Sequence, residues 1–341
     1  MEFRFTTLVT ILAAAAATMQ APSVLAQGTQ ERNLRLGICI SEDHPLGQGS
    51  NKFSQIMDKL SGGKTKVKLF PACQLGSETQ QIAAVRGNVQ DMTIVSSAPL
   101  ATIIKEFLLF DLPFLFQNEK ETDAVLDGKL GQHMLDLAKS KNMIGLCYWE
   151  NGFRQLTNSR RPVAKMEDMA GLKLRVMQNP VYIESFKAMG ANVTPMPMPE
   201  LYSALETKAM DAQENPIPNI HANKMNEVQK YLSLTAHAYA PYVVLVSKTL
   251  WDKMDSKEQD NMRSACNEAR DYQRGLIRTQ NVTLLEDLKA KGMTVTPISD
   301  AEMSRMRDAT RPVTEKFTKE IGPEIVAQAQ QEINAIRKNG K

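Results

Sequence analysis

Short apolar runs alternate with segments of helical periodicity, and this alternation most narrows the folds open to the chain. A strand-length apolar run followed by a helix-period segment is typical of β-α units with largely parallel strands. In the first half the predicted strands are residues 34–40, 67–70, 91–95 and 143–149, and the predicted helices are 47–60, 78–85 and 119–139. The pattern predicts an α/β fold.

A second series of elements begins after Gly171. It comprises strands at 172–177, 210–213, 240–247 and 293–297, helices at 181–189, 199–207 and 250–290, a loop at 196–199 and a helical tail. The strand at 240–247 resembles the long apolar strands of the first half. We therefore expect two α/β lobes between which the chain crosses more than once, with a small-molecule cleft between them.

The first 26 residues have the pattern of a secretory signal peptide. Arg4 lies in a short n-region, an apolar stretch covers residues 8–19, and a small-residue cleavage site ends at Ala26. The apolar stretch is shorter than the roughly 20 residues of a membrane span, and no later stretch approaches that length. We expect cleavage near Ala26 and export, leaving more residues than one hydrophobic core usually serves.

Charge and cysteine content exclude some classes of partner. The formal net charge is only +3 and Lys and Arg are scattered, so neither nucleic acid nor an anionic membrane surface is indicated. Four cysteines, Cys39, Cys73, Cys147 and Cys266, lie far apart and have no metal-ligand spacing. Export permits a disulfide, with Cys39 and Cys73 the first pair to test, but buried free cysteines acting as small hydrophobes are favoured.

Catalytic motifs are missing from the sequence. It contains no GxSxG, HExxH or GxxxxGK[ST], and its four histidines are not spaced as metal ligands. Members of a Ser-His-Asp triad can come from anywhere in a chain. An exported hydrolase therefore stays an alternative, without positive support.

Two arginines occupy positions typical of anion binding. Alternation along the strand at 172–177 places Arg175 and Met177 on the face opposite Leu174 and Val176, near the strand's carboxyl end, where α/β sheets bind ligands. A guanidinium there can bind a carboxylate through two parallel hydrogen bonds. A solvated face or a structural ion pair is the alternative. Arg154 follows the predicted fourth strand and a glycine, so we expect it at a strand end or in a hinge ion pair.

Six stretches together resemble one family, the solute-binding proteins of tripartite ATP-independent periplasmic (TRAP) transporters, DctP-like branch. In chain order they are HPLGQGSNKF (44–53), QLGSETQQIAAVRGNVQDM (74–92), FDLPFLF (110–116), ENGFRQLTN (150–158), MAGLKLRVMQNPVYIESFKAMGANVTPMPMPELYSALET (169–207) and MDAQENPIPNI (210–220). The resemblance implies a two-lobed periplasmic-binding-protein-like fold with a hinge, a long helix bridging both lobes, and closure around an organic acid. Lobe I is expected at 33–152 plus about 241–285, and lobe II at 153–240 plus about 286–335.

The resemblance also implies location and partners. We expect a periplasmic protein that delivers a small organic acid to the integral membrane subunits of the transporter. No cofactor, metal or catalytic activity is expected.

Site residues follow from the matching positions. Arg175 corresponds to the family's carboxylate-clamping arginine, Arg154 to a second arginine, and Asn215 to an asparagine that fixes the carboxylate and the arginine. From the first lobe, contacts are expected from Glu78, His44, and Ser96 or Ser97. His237 and Tyr239 are weaker candidates, and packing at the hinge is the favoured interpretation for both.

Departures from the family pattern bear on the ligand. Met198 replaces a phenylalanine common in the family, and Lys208 and Ala212 replace two glycines; Ala212, near Asn215, is expected to narrow or tilt the pocket. The first-lobe candidates suit hydroxyls better than a second carboxylate. We therefore expect a hexuronate such as glucuronate or galacturonate, or an aldonate, with a C4-dicarboxylate as the alternative.

Overall fold

The computed structural model describes Met1 and residues 30–339, so the predicted signal peptide lies outside the described residues apart from Met1. The strands are β1 (Arg32–Gly37), β2 (Thr65–Phe70), β3 (Met92–Ser96), β4 (Met143–Asn158), β5 (Lys173–Val176), β6 (Asn192–Pro195), β7 (Ala212–Pro216), β8 (Tyr231–Leu234), β9 (Tyr239–Ser247) and β10 (Thr294–Pro297). The helices are α1 (Pro45–Leu60), α2 (Glu78–Arg86), α3 (Ser97–Leu100), α4 (Glu119–Leu126), α5 (Lys129–Leu137), α6 (Pro180–Ala188), α7 (Met198–Glu206), α8 (Ile217–Ala222), α9 (Lys248–Trp251), α10 (Ser256–Ala290), α11 (Asp300–Ile321) and α12 (Pro323–Asn339).

Strand β4 joins two segments of sheet. From Met143 to Phe153 it pairs antiparallel with β9, in the order β2-β1-β3-β9-β4, which we call the first sheet segment. From Arg154 to Asn158 it pairs with β7 and β8, and β5, β6 and β10 complete the second sheet segment. The remaining pairs are parallel except for β3 with β9. The expected α/β fold is confirmed, and so is the placement of β9 with the strands of the first half.

Helix α10 spans both sheet segments. It begins with a capping box between Asp255 and Glu258 and runs for 35 residues, about 50 Å at 1.5 Å per residue. Cys266 packs in the core of the first segment, whereas Leu288 lies in a cluster with Leu201 of the second. The long bridging helix implied by the resemblance is therefore present.

Helix α12 and the C-terminal half of α11 pack against the first sheet segment, whereas Met306, nearer the start of α11, packs in the core of the second. Phe317 of α11 and Val326 of α12 share a buried cluster with Leu130 of α5. The predicted division instead places these helices, as residues of the range from about 286 to 335, in lobe II. The two lobe ranges remain a prediction.

Several predicted elements differ from those observed. The fourth strand was expected to end at residue 149, but β4 continues to Asn158 through a bulge at Gly152, whose φ of +113° suits glycine. Met198, expected in a loop, is the first residue of α7. The sequence pattern missed β6, β8 and α8, which are only four to six residues long.

The expectation of free cysteines is wrong, because disulfides join Cys39 to Cys73 and Cys147 to Cys266. The first pair follows from neighbouring parallel strands, since β1 and β2 end side by side. The second joins β4 to α10 across 119 residues of sequence, and local pattern carried no sign of it.

Candidate functional site

A cavity lies between the two sheet segments. Its empty volume is about 420 Å³, which includes part of its opening to solvent. It is lined by Cys39, Ile40, Leu46, Glu78, Ser96, Asn151, Arg154, Arg175, Met177, Met198, Asn215, Asn219 and Tyr242. Six of these are predicted site residues: Glu78, Ser96, Arg154, Arg175, Met198 and Asn215.

Arg175 reaches the cavity from near the carboxyl end of strand β5. The alternation is as predicted: Leu174 and Val176 pack in the core, while Arg175 and Met177 line the cavity. Arg175 is 2% exposed, so a solvated face is wrong for it. Its Nε donates to the Met196 carbonyl at 2.8 Å, and no carboxylate of the described residues lies within 4.0 Å of the guanidinium.

This guanidinium is therefore a buried cation without an ion-pair partner. Burial lowers the pKa of Arg175 to about 10, with Glu214 opposing the shift and Arg154 adding to it. The side chain still carries its charge at neutral pH. It favours an anion in the cavity.

Arg154 is held rigidly and keeps one donor free. Its Nε donates to Glu214 Oε2, and its Nη2 donates to Glu214 Oε1 at 3.0 Å and to Asn215 Oδ1 at 3.1 Å. Burial alone would lower the Arg154 pKa, but the charge and hydrogen bonds of Glu214 outweigh it and raise the pKa. Nη1 is buried and has no partner among the described residues. The expected ion pair is present, though it lies within β4 and not beyond a strand end.

The neighbours of Arg154 complete this end of the cavity. Asn215, near the end of β7, accepts from Arg154 and donates to Gln213 Oε1 at 2.6 Å, so its amide orientation is set by both contacts. Met198 contributes a flexible thioether wall. Ala212 is buried in β7 and does not line the cavity, so any narrowing or tilt of the pocket by this residue would act through the position of β7 and stays a prediction. Lys208 has a φ of +61°, the conformation that suits the glycine common there in the family.

Glu78 and Ser96 face the cavity from the first sheet segment. Ser77 caps α2 in a capping box with Gln80, which places Glu78 at the first helical position. Glu78 Oε1 accepts the Ser96 backbone N–H at 2.7 Å. Burial raises the pKa of Glu78, while the Ser96 bond and the charge of Arg175 act against that rise. The Ser96 hydroxyl is buried and has no partner within residues 30–339.

A third wall consists of residues that sequence reasoning missed. Asn219 Nδ2 donates to Asn151 Oδ1 at 3.1 Å and to Tyr242 Oη at 3.2 Å. Asn219 Oδ1 is buried, and no donor of the described residues meets it with hydrogen-bond geometry. Burial raises the pKa of Tyr242, so its hydroxyl keeps a proton to donate. Asn151 and Asn219 lie inside the stretches that carry the family resemblance, which was the available signal.

Three predicted residues do not line the cavity. His44 caps α1, its Nδ1 accepting the Leu46 N–H at 2.9 Å, and burial lowers its pKa to about 4, so it is neutral. Ser97 is buried beside Asp111, at 3.5 Å from its carboxylate. His237 Nε2 lies 3.1 Å from Glu214 Oε2, behind Arg154. His44 lies next to the cavity wall, whereas His237 supports the Glu214 side of the arginine pair.

The positive and negative side chains of the cavity lining come from different parts of the fold. Both lining arginines project from the second sheet segment or its junction with the first, and Glu78 is the one carboxylate in the lining. Within the described residues, no group of three or more His, Cys, Asp or Glu is placed to hold a metal ion. None of the described helices is long and apolar enough to span a membrane.

Comparisons with known proteins agree with this geometry. A family model described as bacterial extracellular solute-binding protein, family 7, matches residues 36–320. A sugar acid binding protein from Advenella mimigardefordensis, solved in complex with galactonate, is 42% identical, with a TM-score of 0.88 over 90% of this chain and 99% of that chain.

Two curated relatives differ in their named ligands. The 2,3-diketo-L-gulonate-binding periplasmic protein of Escherichia coli is 37% identical over 85% of this chain and 88% of the relative. The C4-dicarboxylate-binding periplasmic protein of Rhodobacter capsulatus is 30% identical over 84% of this chain and 87% of the relative.

Proposed function

This chain belongs to family 7 of the bacterial extracellular solute-binding proteins and is a solute-binding protein of the TRAP type, and we propose that its ligand is a hydroxylated monocarboxylate, either an aldonate or a hexuronate.

The distribution of charge in the cavity carries this proposal. Arg175 and the free Nη1 of Arg154 offer donors to one carboxylate. The first sheet segment and α8 add Glu78, Ser96 and Asn219 to the lining, which suit hydroxyl groups. A second carboxylate would meet Glu78 and find no third cation in the lining. Like charges at short range oppose each other, so this arrangement favours a monocarboxylate with hydroxyls over a C4-dicarboxylate.

An unpaired buried hydroxyl points the same way. Ser96 Oγ is buried without a partner among the described residues, and such an atom costs about 1 to 3 kcal/mol. A ligand hydroxyl can both donate and accept, so a polyhydroxy acid satisfies it. The relatives named for galactonate and 2,3-diketo-L-gulonate support the same class, while the Rhodobacter capsulatus relative keeps the dicarboxylate as the alternative to be tested.

In the proposed mechanism, the carboxylate binds first at Arg175, Arg154 and Asn215. Contacts from Glu78 and Ser96 form fully only when the lobes close, which links closure to the identity of the ligand. The closed form would then be recognised by the membrane subunits of the transporter. We propose that the signal peptide is cleaved near Ala26, that the protein acts in the periplasm, and that it leaves its ligand chemically unchanged.

A thermal-shift and calorimetry screen tests the proposal. The probes are galactonate, galacturonate, glucuronate and succinate, with hexanoate as the acid without hydroxyls and galactitol as the polyol without a carboxylate. A bound acid at a thousandfold excess over Kd stabilises the protein by about 4 kcal/mol. We expect a shift from at least one sugar acid and little from either control.

Three outcomes would contradict the proposal. A larger shift with succinate than with any sugar acid would favour the dicarboxylate alternative. Absence of a shift from every carboxylate would contradict acid binding. Chemical conversion of the acid, detected by mass spectrometry after incubation, would favour the hydrolase alternative.

A further inference from the structure

The Cys39–Cys73 disulfide joins the two loops that deliver first-segment residues to the cavity. Cys39 follows β1 and itself lines the cavity, next to Ile40. Cys73 follows β2, in the loop that leads to Glu78 at the start of α2. The disulfide therefore connects Cys39, a residue of the cavity wall, to the loop that leads to Glu78, the carboxylate of the cavity lining.

The β2–α2 loop has a conformation that its own residues disfavour. Ala72 and Cys73 have φ values of +51° and +56°, in the left-handed region that side chains other than glycine rarely adopt. Such a conformation persists only where surrounding contacts over-determine it. Here the contacts are two backbone bonds, Ala72 N–H to the Ile40 carbonyl and Cys73 N–H to the Ile38 carbonyl, both 2.9 Å, and the disulfide.

The position of Glu78 depends on this loop. The Gly76 N–H donates to the Cys73 carbonyl at 2.9 Å, and the Gly76 carbonyl accepts from Gln81 Nε2 of α2 at 2.7 Å. Ser77 then caps α2 directly before Glu78. A loop that relaxed at residues 72 and 73 would shift the first turn of α2, and with it the carboxylate.

We propose that the Cys39–Cys73 disulfide is a positioning element of the binding site, which keeps the β2–α2 loop and Glu78 in the arrangement that receives the ligand's hydroxyl end. This inference rests on the proposed function. Without the bridge the loop samples other conformations, and the apparent Kd rises in proportion as the binding-competent fraction falls. Cys39 and Cys73 hold Glu78 in place through the loop, while Glu78 itself makes the contact.

The second disulfide provides a matched control within the same chain. Cys147 and Cys266 are buried in the core between β4 and α10, and neither lines the cavity. Both disulfides restrict the unfolded chain and so add to stability. Only Cys39–Cys73 is partly exposed, since both of its cysteines are half-buried. A phosphine reductant under native conditions should therefore reach Cys39–Cys73 first.

The experiment combines reduction with two double variants. The phosphine breaks one S–S bond, the two sulfurs take up two electrons and two protons, and the phosphine becomes its oxide with oxygen from water. Thiol counting should give two free thiols per chain in the folded protein. Calorimetry is then done with the sugar acid that binds the oxidised protein best, on reduced wild type, Cys39→Ser/Cys73→Ser and Cys147→Ala/Cys266→Ala, each checked for folding by circular dichroism.

We expect the reduced protein and Cys39→Ser/Cys73→Ser to bind about tenfold more weakly, and Cys147→Ala/Cys266→Ala to keep its Kd within about twofold while melting at a lower temperature. Equal Kd values for all forms, or the same loss of affinity in both double variants, would overturn the inference and leave the proposed function standing.

Amide hydrogen exchange provides a readout that needs no ligand. Residues 71–80 should exchange faster in Cys39→Ser/Cys73→Ser than in wild type, and this comparison holds even where the oxidised protein binds none of the acids and the proposed function fails. Unchanged exchange of that segment would overturn the positioning role.

Discussion

Replacing Arg175 by glutamine should weaken binding of the acid severely and at the same time stabilise the ligand-free protein. The guanidinium is 2% exposed, and no carboxylate of the described residues pairs with it. Its charge is therefore buried without a directly paired carboxylate, and the more distant charge of Glu214 offsets only part of the cost of burial. Arg154, at the same end of the cavity, is instead paired with Glu214.

The magnitude follows from the pKa of Arg175, which burial lowers from 12.5 to about 10. At about 1.4 kcal/mol per unit, the folded state disfavours the charged form by up to about 3 kcal/mol. Because the folded pKa lies below the unfolded one, this penalty is constant at every pH at which both states are charged, which includes neutral pH. Losing the hydrogen bond from Nε to the Met196 carbonyl costs about 1 kcal/mol, so Arg175→Gln should gain up to about 2 kcal/mol.

Ligand binding should change in the opposite direction. Removing one partner of a buried ion pair costs about 3 to 5 kcal/mol, which corresponds to a rise in Kd of roughly a hundredfold to several thousandfold. Arg154→Gln is the matched control, because it strands the fully buried carboxylate of Glu214. It should lose both affinity and about 3 to 5 kcal/mol of stability.

Urea unfolding without ligand and calorimetry with the best-binding sugar acid measure the two effects. The reasoning is refuted if ligand-free Arg175→Gln is less stable than wild type by more than about 1 kcal/mol, or if it binds within about threefold of wild type. Equal destabilisation by the two substitutions would also refute it, because the argument depends on the difference between a paired and an unpaired guanidinium.

The remaining predictions concern other buried polar groups. Burial raises the pKa of Asp111 to about 8. Between about pH 4 and pH 8 the folded chain therefore keeps a proton that the unfolded chain has released. The stability that this proton contributes is complete below about pH 4 and is lost progressively as the pH rises to 8. Asp111→Asn should therefore flatten the fall in unfolding free energy between pH 5 and 8 by up to about 1.4 kcal/mol per pH unit, measured by urea titration, and an unchanged slope would contradict it. Ser96→Ala should stabilise the ligand-free protein by about 1 kcal/mol, because an unpaired buried hydroxyl is removed, but raise the Kd of a sugar acid about five- to tenfold; a loss of stability with an unchanged Kd would contradict the assignment. Tyr242→Phe should raise the Kd of a sugar acid about fivefold in calorimetry, because it removes both the hydroxyl donor and the acceptor of the Asn219 Nδ2 bond, and an unchanged Kd would contradict the assignment.

Much of the fold was readable from local pattern. Arg175 alternates with Leu174 and Val176 along β5, and period two is enough to assign it to the face opposite the core. The extent of β4 was not readable, because a polar stretch with a glycine normally ends a strand, and here a bulge at Gly152 lets the strand continue.

The candidate site was readable in part. Family motifs pointed to Arg175, Arg154, Asn215 and Glu78, all of which line the cavity. Tyr242 was missed because it lies within an apolar strand, where a tyrosine is usually a packing residue.

Tertiary structure decided which cysteines form disulfides and which of the two arginines has a carboxylate partner. Periodicity, turn residues and motif spacing depend on neighbours in the chain, so the sequence by itself determined the order of the longer strands and helices, the family, and the chemistry of the residues available for an acid. Whether a guanidinium is paired depends on residues brought from far away: Glu214 lies 60 positions from Arg154, and Cys266 lies 119 from Cys147. Only packing decides that Arg154 meets a carboxylate while Arg175 has no carboxylate partner within the described residues, because burial and the partners available in the cavity are properties of the folded chain.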